Sequence, residues 1–353
     1  MIRGSLASQT PIPDWERALG PVLFSAVIRS TPADFEVTEE LSFDLSGDGE
    51  HDFLWVEKTS ANTQWVALCL AQHAGVPLRD VGFSGLKDRH AITRQWFSVR
   101  RPGRDGTDWQ TFVTAGVRIL EHRVHRRKLK RGTHRRNVFR IVLRGHDIAS
   151  RREAIVGRLA RIRSDGVPNY FGEQRFGRDG GNMDLAGALF SGRRLTRSRR
   201  SIAMSAARSF LFNEILATRV SQGTWNTILP GELANLDESG SVFAVDEVSD
   251  ELVARCLALD IHPSATMWGD KAPLGTKIAA TLERDVTGRH EDLVDGLLRA
   301  RVTAASRALR LPVRDLRWEF QVDALRLEFS LYRGGFATAV LRELARTQSA
   351  VQA

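Results

Sequence analysis

Cysteine is scarce: the 353 residues contain two, Cys69 and Cys256, with no CxxC and no pairing pattern. A disulfide framework is thereby excluded, and a reducing compartment, the cytoplasm, is expected. Cys69 lies in the apolar stretch 65–70 and is expected to act as a small buried hydrophobe. Long hydrophobic runs are missing too. No uncharged apolar stretch approaches the roughly 18 residues of a membrane span, and residues 1–13 have no apolar core of a secretory signal. No membrane partner is therefore expected.

The common catalytic signatures are also absent. There is no GxxxxGK[ST] phosphate loop, no GxSxG elbow and no HExxH metal site. The glycines of Arg178-Asp179-Gly180-Gly181 lack dinucleotide-fingerprint spacing and read as a turn. Nine histidines are scattered. His122 and His125 are close, but neighbouring arginines would repel a cation. His73, near a helix end, reads as structural. No metal and no cofactor are expected. Internal repeats and low-complexity segments are absent as well.

What is present is an ordinary globular composition, 42% hydrophobic and 26% charged. The length suggests two or three domains and is ample for a core without staples. Lys and Arg number 51 against 42 Asp and Glu, a formal net charge of +9. Such a balance favours polyanions through long-range attraction and counterion release. By itself it does not choose between RNA, DNA and an acidic membrane.

Short apolar runs predict strands over 22–30, 34–39, 52–57, 81–83, 95–101 and 138–144. A helix after Asn62-Thr63 is expected to bury Val66, Leu68, Cys69 and Leu70 and to end at Gly75 and Pro77. A second helix, about 150–164, carries Ile155, Leu159 and Ile162 on one face. After Asp165-Gly166-Val167-Pro168-Asn169 the pattern becomes more helical. Strands return at 316–322 and 325–332, and a helix is predicted over 336–347. The order suggests an insertion: 1–165 and 312–353 form one domain, with 166–311 inserted.

Two basic clusters stand out. His122 to Arg136 holds Arg123, Arg126, Arg127, Lys128, Lys130, Arg131, Arg135 and Arg136 without an acidic residue. A solvated loop is the ordinary explanation of such a run. Here so many like charges repel unless a polyanion relieves them, so contact with a nucleic-acid backbone is expected at Arg126, Arg127, Lys128, Lys130 and Arg131. A second cluster, Arg193, Arg194, Arg197, Arg199 and Arg200, suits phosphate oxygens through forked hydrogen bonds, with Arg199 and Arg200 the expected contacts.

Two further segments invite a chemical reading. In Gly85-Leu86-Lys87-Asp88-Arg89, an aspartate in a turn is flanked by cations that favour its ionised form, as a nucleophile or base needs. From the residues alone a surface ion pair is the commoner explanation. In Val167-Pro168-Asn169-Tyr170-Phe171-Gly172-Glu173-Gln174-Arg175-Phe176-Gly177, aromatics interleave with Gln and Arg, as suits unstacked bases. A packed hinge with Tyr170, Phe171 and Phe176 buried explains the same pattern.

The runs GLKDRHAITRQWFSV, Gly85 to Val99, and VPNYFGEQRFG, Val167 to Gly177, closely resemble the two signatures of TruD-type pseudouridine synthases. The resemblance extends to Pro32-Ala33-Asp34-Phe35-Glu36-Val37 with Glu39, Gly49-Glu50-His51, Asn62-Thr63 and Asn137-Val138-Phe139. It continues in Ser205-Ala206-Ala207-Arg208, Gly335-Phe336-Ala337-Thr338 and Arg342-Glu343-Leu344. The middle, about 213–311, is only weakly similar. The resemblance implies an α+β fold: a pseudouridine-synthase catalytic domain with a mixed, largely antiparallel sheet, interrupted by an inserted α/β TRUD domain.

It also implies a tRNA pseudouridine synthase acting on uridine 13, with tRNA as partner, no cofactor, and Asp88 as catalytic carboxylate. The chain is taken to act as a monomer. The substrate-binding residues it implies are Phe35, Glu39, Lys87, Asn137, Phe139 and Phe336, with Arg29 where the family commonly has lysine. Arg29 keeps the charge but changes its shape. Ala33 stands where an acidic residue is usual. Any of Phe35, Phe139 or Phe336 could stack on the extruded base. Two rivals stay open: a non-catalytic basic RNA-binding protein, and a carboxylate-dependent hydrolase of RNA glycosidic bonds.

Overall fold

The computed structural model describes residues 12–101 and 106–351. Residues 1–11, most of the segment read above for a secretory signal, lie outside them. The chain divides into two compact units. One comprises Val22–Leu159, Val313–Ala337 and Leu344–Ala353; the other takes Ala160–Pro312 with residues up to Pro21 and Thr338–Glu343.

The first unit is built on one ten-stranded mixed sheet. Its strands are β1 (Phe24–Ile28), β2 (Phe35–Leu41), β3 (His51–Thr59), β4 (Val81–Phe83), β5 (Ile92–Arg100), β6 (Val117–His125) and β7 (His134–Arg144), then Arg314–Gln321, Ala324–Tyr332 and Ala345–Ser349. From one edge the order is Arg314–Gln321, Ala324–Tyr332, β7, β2, β5, β3, β6. β2 runs parallel to β5, and β1 parallel to Ala345–Ser349. The other ladders are antiparallel. Alternation along β3 turns Leu54 and Val56 inward against Val66, Ala67 and Leu70 of helix α1 (Thr63–His73), with Phe83, Phe97 and Trp109 completing that core. Asn62 caps α1 by accepting from Gln64 N at 2.8 Å, which satisfies a donor the helix start leaves free.

Two sequence expectations need correction. Leu68 is 41% exposed and Cys69 only half-buried, because the inward stripe of α1 runs through Val66, Ala67, Leu70 and Ala71. The C-terminal helix is short, Ala337–Arg342. Residues 345–349 instead pair with β1, whose edge needs a partner for its backbone groups. The basic stretch after His122 is not one loop: it is the end of β6, a tight connection and the start of β7.

In the second unit, helices Gly181–Phe190, Arg197–Ser221, Asp250–Leu257, Lys277–Thr287 and Glu291–Arg299 accompany a three-stranded sheet and two short two-stranded ladders. Among the described residues, no helix is long and apolar enough to cross a membrane.

Candidate active site

The loop after β4 carries Asp88, and four side chains from neighbouring elements hold it. Thr63, the first residue of α1, accepts the Lys87 backbone N–H on its Oγ1 at 3.0 Å and donates to Gln95 Oε1 at 3.2 Å. Gln95 on β5 donates from Nε2 to the Gly85 carbonyl at 3.1 Å. Lys58, at the end of β3, is fully buried. Its Nζ donates to the Asp88 and Ala61 carbonyls, each at 2.8 Å. Burial pushes the Lys58 ammonium down to about 8, and the nearby Asp88 charge acts in the opposite direction.

Glu39 of β2 supplies the fourth anchor. Its carboxylate, buried in the sheet, pairs with Lys87 Nζ at 2.5 Å and accepts the Trp96 N–H at 3.4 Å. Burial raises the Glu39 carboxyl, and the Lys87 charge opposes that rise. A paired buried charge is costly to break, because removing one partner strands the other. The loop is thereby held at Gly85, at Lys87 and at the Asp88 carbonyl.

The Asp88 carboxylate itself is left partly open, its side chain 31% accessible, and is bonded to the Arg29 guanidinium. Arg29 follows β1 with φ of 59°, a left-handed backbone that costs a residue bearing a β-carbon of order 1–3 kcal/mol. Its guanidinium also lies 4.1 Å over the Phe35 ring, a favourable cation–π position. One carboxylate facing solvent, oriented by a planar cation and fixed through its own backbone, can act as a nucleophile or a base.

The sheet brings most of the other expected residues to the same place. Asn137 on β7 stands opposite Glu39 on β2, and its Oδ1 is buried without a hydrogen-bond partner. Arg29 Nε is in the same condition. Phe139, two residues along β7, is buried; its ring stacks on Phe329 at 5.5 Å and meets Phe35 edge-on at 6.4 Å. Phe35 and Phe139 therefore spend most of their surface inside the protein, while Phe336 is half-buried.

The basic residues divide between the units. Arg126, Arg127, Lys128, Lys130 and Arg131 lie in the connection from β6 to β7 of the first unit. Arg126 pairs with Asp48 at 3.0 Å, Lys128 Nζ bonds the Arg79 carbonyl, and the Arg131 guanidinium lies 3.8 Å over Phe83. Arg199 and Arg200 are exposed on the first turn of helix Arg197–Ser221, in the second unit. In that unit too, the aromatics of the second signature are packed away: Phe176 is fully buried and Tyr170 2% exposed, both against Trp15. Among the described residues no group of three or more His, Cys, Asp or Glu is placed to hold a metal ion.

Lys58 and Gln95 escaped the sequence reading. A signal for Lys58 did exist. Leu54, Val56 and Lys58 alternate along β3, so extending that strand beyond Glu57 would have put a lysine on the buried face.

Known proteins resemble this chain in sequence and in fold. The profile of the family described as tRNA pseudouridine synthase D (TruD) matches residues 24–194 and 182–344. A protein named tRNA pseudouridine synthase D from Methylococcus capsulatus is 45% identical over 334 residues, 94% of each chain. One of the same name from Nitrosococcus oceani is 44% identical over 336 residues, 94% of this chain and 93% of that one. A crystal structure of a Methanosarcina mazei protein assigned to tRNA pseudouridine synthase D superposes with a TM-score of 0.72 at 18% identity, covering 95% of both chains, and shares the α+β fold. The chain belongs to the TruD family of tRNA pseudouridine synthases.

Proposed function

We propose that this protein converts uridine 13 of tRNA to pseudouridine, with Asp88 as the catalytic carboxylate. The observation that carries the reading is the treatment of Asp88: its backbone is pinned by buried Lys58 while its carboxylate stays accessible beside Arg29. A surface ion pair, the rival from sequence, would not require a fully buried lysine beneath it. The reaction breaks the N1–C1′ bond, turns the uracil and forms a C5–C1′ bond. Atoms are only rearranged. Asp88 attacks C1′ as a nucleophile or removes a proton to open a glycal route.

Asn137 and Arg29 fit the extruded nucleoside. A buried polar atom without a partner costs about 1–3 kcal/mol, which a bound ligand can repay. Asn137 Oδ1 is an acceptor for the uracil N3–H, and Arg29 Nε a donor for a ribose or base oxygen. With Phe35 and Phe139 largely covered, Phe336 is the best placed of the three to stack on an unstacked base. Lys87 and Glu39 act on the loop through their pair. Arg126, Arg127, Lys128, Lys130 and Arg131, with Arg199 and Arg200, meet the RNA backbone, and the protein works as a cytoplasmic monomer.

Incubation with unmodified tRNA transcripts, followed by carbodiimide-dependent reverse-transcription mapping, tests this reading. A stop at position 13 with no change in tRNA mass is expected. Stops elsewhere would reject the site, and release of free uracil would favour the glycosidic hydrolase instead.

A further inference from the structure

Beside the Asp88 loop, the first unit has a concavity of about 510 Å³ with a different chemistry. Its size falls within the roughly 300–1,000 Å³ of small-molecule pockets. One wall is the segment after β2, with Phe43, Asp44 and Ser46. The other is the β6–β7 connection, with His125, Arg127 and Lys130 among its residues. Gly47 N donates to the Val124 carbonyl at 3.1 Å, and Ser46 N to His125 Nδ1 at 3.1 Å, closing the two walls at one end. Gly49 makes that closure possible, because a Cβ there would stand 2.4 Å from the Arg126 backbone. At the other end Ser42 Oγ donates to the Thr133 carbonyl at 2.6 Å.

The lining pairs an aromatic platform with unspent charge. The half-exposed Phe43 ring lies 5.1 Å from His125 at 32°, and both rest edge-on against buried Phe53. Because His125 Nδ1 accepts from Ser46, its proton sits on Nε2, and burial, with Arg127 and Arg126 nearby, disfavours a second proton on the ring. Of the four lining cations, Arg126 is paired with Asp48 and Lys128 is bonded to a carbonyl. Arg127 and Lys130 are exposed and have no carboxylate partner among the described residues. Asp44 is the single acid in the lining.

A flat apolar ring beside two free cations suits a nucleotide, whose base stacks while its phosphate is neutralised. We propose that this pocket binds one unpaired nucleotide of the RNA substrate other than the target uridine, its base on Phe43 and His125 and its phosphate at Arg127 and Lys130. The site rests on the reading of this protein as an RNA-modifying enzyme. It is tied to the catalytic loop: Gly132 N donates to the Ser84 carbonyl at 2.8 Å, and Ser84 Oγ bonds His134 Nδ1 at 2.6 Å, four residues before Asp88.

The test is the dissociation constant of an unmodified tRNA transcript, measured across a salt series without turnover. Stacking is worth about 1–3 kcal/mol per base, so Phe43→Leu, which keeps apolar packing but has no ring, should weaken binding by about tenfold with an unchanged salt slope. Phe43→Trp should bind at least as tightly as wild type. Arg127→Gln and Lys130→Gln should each weaken binding and reduce the salt slope by about one charge. Should Phe43→Leu fold and bind within twofold of wild type, or should wild type bind no tRNA transcript, the pocket assignment fails. A wild-type protein that binds RNA with this pattern yet forms no pseudouridine would overturn the proposed function and leave the pocket standing.

Discussion

The two signature segments, both candidate sites in sequence, do opposite things in the structure. Around Gly85 to Asp88, polar side chains are spent on holding a loop so that one carboxylate stays in reach of solvent. Around Tyr170 to Phe176, aromatic side chains are spent on burial: Tyr170 donates from its hydroxyl to the Glu16 carbonyl at 3.1 Å, and Phe176 packs on Trp15 and Phe210. The difference teaches that unusual composition marks constraint, and that only the surroundings say whether the constraint is chemical or structural. An aspartate among cations and an aromatic run are equally conspicuous; burial and hydrogen-bond direction separate them.

Substitutions can break this contrast. The largest stability loss is expected at the second segment. Phe176→Ala should cost about 3–5 kcal/mol, read as a lower denaturant midpoint, because its fully buried ring leaves a cavity. A loss below about 1 kcal/mol would mean that the ring is not packing material. Lys58→Met removes the bond that pins the Asp88 carbonyl, together with the one to the Ala61 carbonyl. A misplaced carboxylate should lower the single-turnover rate about a hundredfold while the tRNA dissociation constant stays near wild type. Equal losses in rate and affinity would make Lys58 a general structural support instead.

A smaller effect is expected at Glu283, buried in the second unit with Oε1 accepting from Thr266 N and Oε2 without a partner. Burial raises its carboxyl from 4.5 to about 7, helped by the Glu232 charge and opposed by the Thr266 bonds. The folded state then holds the proton more tightly than the unfolded chain. Its contribution is favourable below pH 4.5 and is lost as pH rises through about 7. Glu283→Gln should therefore raise the melting temperature by about 5 °C at pH 8 and little at pH 4.5. A uniform shift at both pH values would contradict the assigned protonation.

Much of the first unit was legible because its strands alternate. β2, β4 and Ala324–Tyr332 lie close to where apolar spacing put them. The 345–349 strand was not, because Ala-Arg-Thr-Gln-Ser has no apolar alternation; it is a strand only because the β1 edge is waiting for it. Site geometry was legible where residues were adjacent in sequence, as in Lys87-Asp88, or lay within the family resemblance. Lys58 was invisible because a lysine normally argues for the surface, and its role depends on Asp88, 30 positions away. The run 122–136 looked free of acids, yet the fold brings Asp48 to Arg126 from 78 positions away.

The central claim, that chemistry resides in the Asp88 carboxylate and not in the surface around it, is tested most directly by Asp88→Asn, which keeps the size and one acceptor oxygen but removes the charge. Under single-turnover conditions with saturating tRNA transcript, pseudouridine formation should fall by at least about a thousandfold, with the dissociation constant for that transcript within a few-fold of wild type. Product formed by Asp88→Asn at the wild-type rate would contradict the account.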